Sequence, residues 1–124
     1  KKYVMDKLEE GKNVILEIDV QGAKKVKDSI EDSVLIFIMP PSFEELRNRI
    51  KGRGTESAQD INKRMSKAYD EICHIKDYDY VVVNDDVKKA AEKIKCILTA
   101  EKCRYKRCKI DLEDFRMDKC ENRL

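Results

Sequence analysis

Val14-Ile15-Leu16-Glu17-Ile18-Asp19 is the stretch whose reading decides the rest. Four apolar residues surround two carboxylates, and a nearly continuous apolar run bounded by turn signals predicts a strand buried on both faces, as in a parallel sheet. Side chains two apart on a strand point the same way, so Glu17 and Asp19 share a face. Carboxylates are almost never buried unpaired, which suggests a strand ending at a cleft, where ligands of open α/β sheets bind. Asp19 could equally cap a following helix. On this stretch alone the two readings stand level.

Working outward, residues 2–10 read as a helix with Gly11 as its C-cap, and 22–30 as a short helix with Val26 and Ile30 inward. A second apolar strand, 34–39, stops at Pro40-Pro41. Ser42-x-x-Glu45 has the form of a capping box and opens a helix bearing Phe43, Leu46 and Ile50. Gly52 and Gly54 bracket Arg53 and break that helix. A longer one follows with Ile61, Met65, Ala68, Ile72 and Ile75 at helical spacing. Tyr80-Val81-Val82-Val83 reads as a third buried strand, and a last helix at about 86–100 is expected to bury Val87, Ala90, Ala91, Ile94, Ile97 and Leu98. Residues 101–124 are heavily charged with little periodicity, which predicts an irregular or weakly helical tail. Strands alternating with helices predict an α/β chain with about three strands in a parallel sheet flanked by helices.

Composition narrows the function. At 124 residues the chain is at most one domain. Charged residues make up 42%, yet the net charge is only +2, all of it in 101–124, too little for a nucleic-acid footprint. No apolar run approaches a membrane span. The first methionine is Met5, so Lys1 reads as a cut rather than a natural start. Five cysteines, without a secretion signal or any C-x-x-C pair, fit reduced thiols in a cytoplasmic protein rather than a zinc site. His74 reads as a helix-face residue, and Arg104-Tyr105-Lys106-Arg107 as solvated tail.

Arg49, Arg53 and Arg64 form a second constellation. Guanidinium forks match phosphate oxygens, and arginines around a glycine-hinged loop can close charge onto a phosphate chain and exclude water. Ordinary surface arginines explain the same pattern until Gly52-Arg53-Gly54-Thr55 is weighed, since two glycines beside one arginine are what a moving lid needs.

Glu17-Ile18-Asp19-Val20-Gln21-Gly22-Ala23, Pro40-Pro41-Ser42, Gly52-Arg53-Gly54-Thr55, Asn62-Lys63-Arg64 and Val83-Asn84-Asp85-Asp86 come in the order and at about the spacings of guanylate kinases. Over roughly residues 1–100 the chain resembles that family. The resemblance implies a P-loop nucleoside monophosphate kinase-like fold and transfer of the γ-phosphate of ATP to GMP with Mg²⁺. It puts Glu17 and Asp19 on the GMP and Mg²⁺ side, with Asp19 acting on Mg²⁺ indirectly. Arg49, Arg53 and Arg64 become phosphate-engaging arginines of a lid at about 49–66, Arg49 and Arg53 on ATP, and Asn84 lies near the adenine.

One departure is large: the sequence contains no G-x-x-x-x-G-K-S/T, hence no loop to cradle the ATP β-phosphate. By resemblance the missing P-loop strand falls between 14–19 and 34–39, leaving backbone groups exposed on both sides of the gap. The chain is therefore expected to be the C-terminal part of such a kinase, to need an N-terminal half, and to be inactive alone. Guanylate-kinase-like domains also serve as protein-interaction modules; a phosphate clamp of three arginines argues against that reading.

Overall fold

The computed structural model describes residues 1–52 and 57–115 and divides into two compact units, Lys1–Val81 and Val82–Leu124. The first unit opens with α1 (Lys2–Glu9). Its end is closed by a double turn: the Gly11 amide donates to the Leu8 carbonyl at 3.0 Å and the Lys12 amide to the Lys7 carbonyl at 3.1 Å. That pairing needs a left-handed residue, and Gly11 supplies it at φ +82°.

Residues 14–19 are not a strand. Ile15 is 72% exposed, and among the described residues no backbone hydrogen bond reaches Asn13 to Ile18. A strand exists only against a neighbour, and none of the described residues pairs with this stretch through its backbone. The apolar pattern that predicts it is nonetheless present.

α2 (Val20–Ser29) starts two residues earlier than expected, because Asp19 caps it. β1 (Ile36–Met39) and β2 (Tyr80–Val83) pair as a parallel two-stranded sheet, two of the three expected strands. Their junction is polar. The Leu35 carbonyl accepts from the amides of Asp79 and Tyr80 at 2.9 and 3.1 Å. The Leu35 amide donates to the Asp79 carboxylate at 2.8 Å. Lys27 of α2 stands 3.9 Å from the same oxygen and donates to the Ser33 carbonyl at 2.5 Å, so α2 is tied to the start of the sheet. Phe37 is buried and meets the edge of the Tyr78 ring, centroids 5.0 Å apart at 89°, the favoured edge-to-face arrangement. Full burial on both strand faces is not reached: Ile38 and Val81 are exposed.

After Pro40-Pro41 the Ser42 hydroxyl accepts from the Glu45 amide at 3.0 Å and opens α3 (Phe43–Lys51). The Glu45 carboxylate turns forward along the helix and accepts from Arg49 Nε at 3.2 Å. Ser57 caps α4 (Ala58–Ile72) through the Asp60 amide at 3.2 Å. Phe43 and Tyr69 stack at 5.8 Å, joining α3 to α4. His74 follows α4 rather than lying on it and pairs with Asp77 at 3.7 Å.

In the second unit Asp86 caps α5 (Val87–Lys102) by accepting from the Lys88 amide at 2.9 Å. Ala90 is buried, Ile94, Ile97 and Leu98 are half-buried, and the inward stripe ends on a buried carboxylate, Glu101. Val87, expected inside, is 73% exposed, with none of the described residues covering the first turn of the stripe, and Ala91 falls off its axis. Glu101 accepts from Arg104 Nε at 2.5 Å and Arg107 Nη2 at 3.5 Å. These two arginines are thus anchors of the helix end rather than solvated tail; a carboxylate this buried requires such partners. Short 3₁₀ turns follow at Tyr105–Arg107 and Leu112–Phe115.

Two outcomes are expected. Asp79→Ala lowers stability by about 1–2 kcal/mol in chemical denaturation, and Asp79→Asn, which keeps an accepting oxygen for the Leu35 amide, by about half that. Tyr78 ionises above the ordinary 10.0, through burial first and then the nearby charges of Glu71 and Asp19. Its folded value is the higher one, so its contribution to stability is complete below pH 10 and is lost as the pH rises further, while the unfolded chain loses the proton first. Phenolate absorbance should show one late-titrating tyrosine that Tyr78→Phe removes.

Candidate functional site

The segment after α1 delivers its two carboxylates differently. Glu17 sits on the unpaired stretch and is exposed. Asp19 is fixed: its Oδ1 accepts from the Gly22 amide at 2.7 Å while its carbonyl accepts from the Ala23 amide at 2.8 Å. Of the two readings of Asp19, capping is realised, and it commits one oxygen and holds the other at the head of α2. The alternation expected of Glu17 and Asp19 on one strand face does not arise.

Burial first, then the negative charges of Glu71 and Asp19, raise the Tyr78 phenol above its ordinary 10.0. Sequence reasoning missed Tyr78. Its ring meets that of Phe37 of β1, centroids 5.0 Å apart, and no local sequence pattern marks it.

Arg49 lies in the last turn of α3 and Arg64 in the second turn of α4, both exposed, on either side of residues 53–56. The Phe43–Tyr69 stack fixes the helices that carry them. Glu45 steadies the Arg49 guanidinium at 3.2 Å. Such an i,i+4 pair costs the guanidinium little of its capacity for phosphate, being worth only about 0.3–0.5 kcal/mol. Arg53, with Gly54 and Thr55, lies outside the described residues. Asn84 belongs to the second unit, half-buried just after β2.

For a divalent cation the donor set is thin. Among the described residues no group of three His, Cys, Asp or Glu could hold a metal. Mg²⁺ keeps several waters and is commonly bound through one or two carboxylates plus phosphate oxygens. One oriented carboxylate at Asp19 fits an outer role of that kind, not a cage. No described helix is long and apolar enough to cross a membrane.

Comparison with known proteins bears on these residues. The guanylate kinase family profile matches residues 1–101. A guanylate kinase of Caldanaerobacter subterraneus subsp. tengcongensis is 58% identical over 109 residues, covering 88% of this chain and 53% of that protein. One from Clostridium perfringens is 50% identical over all 124 residues, 57% of its length. The crystal structure of guanylate kinase from Anaplasma phagocytophilum superposes with a TM-score of 0.73 at 36% identity, covering 95% of this chain and 56% of that one. The chain spans about half the length of the curated relatives it matches. Its α/β fold is that of the P-loop kinases. The chain belongs to the guanylate kinase family.

Proposed function

We propose that this chain supplies the lid, the acidic pair and the adenine-side asparagine of an ATP-dependent kinase that converts GMP to GDP. The observation that carries the reading is the pair of exposed arginines, Arg49 and Arg64, set on two stacked helices at either end of the segment holding Gly52-Arg53-Gly54. Phosphoryl transfer asks for in-line positioning and neutralisation of developing charge, and little covalent chemistry. Guanidinium groups carried on a hinged segment meet that need: they bind the phosphate chain bidentately and displace water as they close.

In this reading residues 1–100 are part of the catalytic domain, about 49–66 its lid, and 101–124 a charged tail. Arg49, Arg53 and Arg64 engage phosphates, Arg49 and Arg53 those of ATP. Glu17 and Asp19 face the GMP side, and Asn84 the adenine. Mg²⁺, carried on the ATP phosphates, supplies charge neutralisation, with Asp19 orienting its water shell. Free thiols at Cys73, Cys96, Cys103 and Cys108 suit a cytoplasmic setting. ATP and GMP are the partners; neither nucleic acid nor membrane is invoked.

The 124-residue chain by itself should give no more than trace GDP from GMP and ATP, because it carries no phosphate-cradling G-x-x-x-x-G-K-S/T loop; a substantial rate would overturn this. In the protein at its full natural length, Arg49→Ala, Arg53→Ala and Arg64→Ala should each lower kcat by about 10²-fold or more at unchanged thermal midpoint. Nucleotide affinity and turnover indifferent to Arg53→Ala would instead favour a protein-interaction module.

A further inference from the structure

Among the described residues four helices begin with a capping side chain, and one cap differs from the others. Ser42, Ser57 and Asp86 accept from the amides of Glu45, Asp60 and Lys88, residues that carry full side chains. Asp19 accepts from Gly22, and at 2.7 Å this is the shortest of the four contacts. Capping therefore does not itself call for glycine.

Nor does the backbone. Among the described residues Gly11 alone has a positive φ, so Gly22 sits where any L-residue could. Within the first turn of a helix glycine is also a poorer choice than alanine. What distinguishes position 22 is crowding. A Cβ built there would stand 3.1 Å from Asp19 Oδ1 and 3.2 Å from Ile18 Cβ, and both atoms would have to move.

We infer that Gly22 is a positioning residue for Asp19: its missing side chain lets the α2 backbone close on Oδ1 and on Ile18, which fixes the aim of Oδ2. The inference rests on the reading above that Asp19 serves the nucleotide site. It concerns the carboxylate's direction, since Gly22 itself touches no reacting group.

The test uses Gly22→Ala, Asp19→Asn and the double variant in the protein at its full natural length, with kcat, KM for GMP, the Mg²⁺ concentration for half-maximal rate, and the thermal midpoint as readouts. Gly22→Ala should lower kcat by about tenfold and raise the Mg²⁺ requirement, because small misplacements near the chemistry are costly. KM for GMP and the thermal midpoint should hardly move, since alanine's better helix propensity offsets the strained cap. In the Asp19→Asn background Gly22→Ala should add less than a twofold effect.

If Asp19→Asn lowers kcat while Gly22→Ala stays within twofold of the parent, the inference fails and the reading of Asp19 survives. If Asp19→Asn leaves kcat unchanged, that reading fails and takes the inference with it. An equal Gly22→Ala loss in both backgrounds also overturns it. Should Gly22→Ala lower the thermal midpoint sharply, adding Asp19→Ser, which keeps a capping oxygen but removes the carboxylate, must restore it; no restoration overturns the inference.

Discussion

Leu35 is where the first unit closes on itself. Its carbonyl takes two amide protons from Asp79 and Tyr80, and its own amide goes to the Asp79 carboxylate. That exchange sets the register of β1 against β2 and hence the point at which Pro40-Pro41 turns the chain into α3. Through Lys27 the same carboxylate reaches α2, whose first residue follows Asp19. The ion pair is half-exposed and contributes little by itself; the hydrogen bond to the Leu35 amide gives the junction its geometry.

Elsewhere too, polar joints set the local geometry. Among the described residues the buried apolar side chains are Ala23 and Phe37 in the first unit and Val82 and Ala90 in the second. Two of these are alanines, which bury little area. Serine and aspartate caps, the Asp79 junction and the Glu101 pair of arginines position the helix ends and the start of the sheet. The residues proposed to act on nucleotide inherit this: Asp19 is held by the end of a helix, and Arg49 by the helix turn that carries Glu45.

The features legible in the sequence are those decided within a few residues. Ser42 announces the helix it caps, and the order of the helices and of the strands at 36–39 and 80–83 follows from spacing. Strand 14–19 is the instructive failure. Its composition is right for a buried strand, but a strand is a relation between two stretches, and composition describes only one of them. Glu101 failed for a similar reason: nothing in a charged tail says which carboxylate will lie under two arginines. Tyr78 gave no sign because its raised ionisation comes from burial and from the charges of Glu71 and Asp19, which only the fold sets. Arg53, the centre of the lid pattern, was legible as a motif and stands outside the described residues.

Gly11 shows a constraint of another kind. Among the described residues, its two chain neighbours aside, no atom lies within 4 Å of where its side chain would stand, so the position is limited by handedness and not by volume. Any L-residue placed there must enter the left-handed region at a cost of about 1–2 kcal/mol. A residue of opposite chirality would take φ +82° as its natural conformation and could carry a bulky side chain into open solvent. The turn between α1 and the Glu17 segment is therefore a site where a label could be introduced by chemical synthesis, its stereochemistry doing the work that glycine does now.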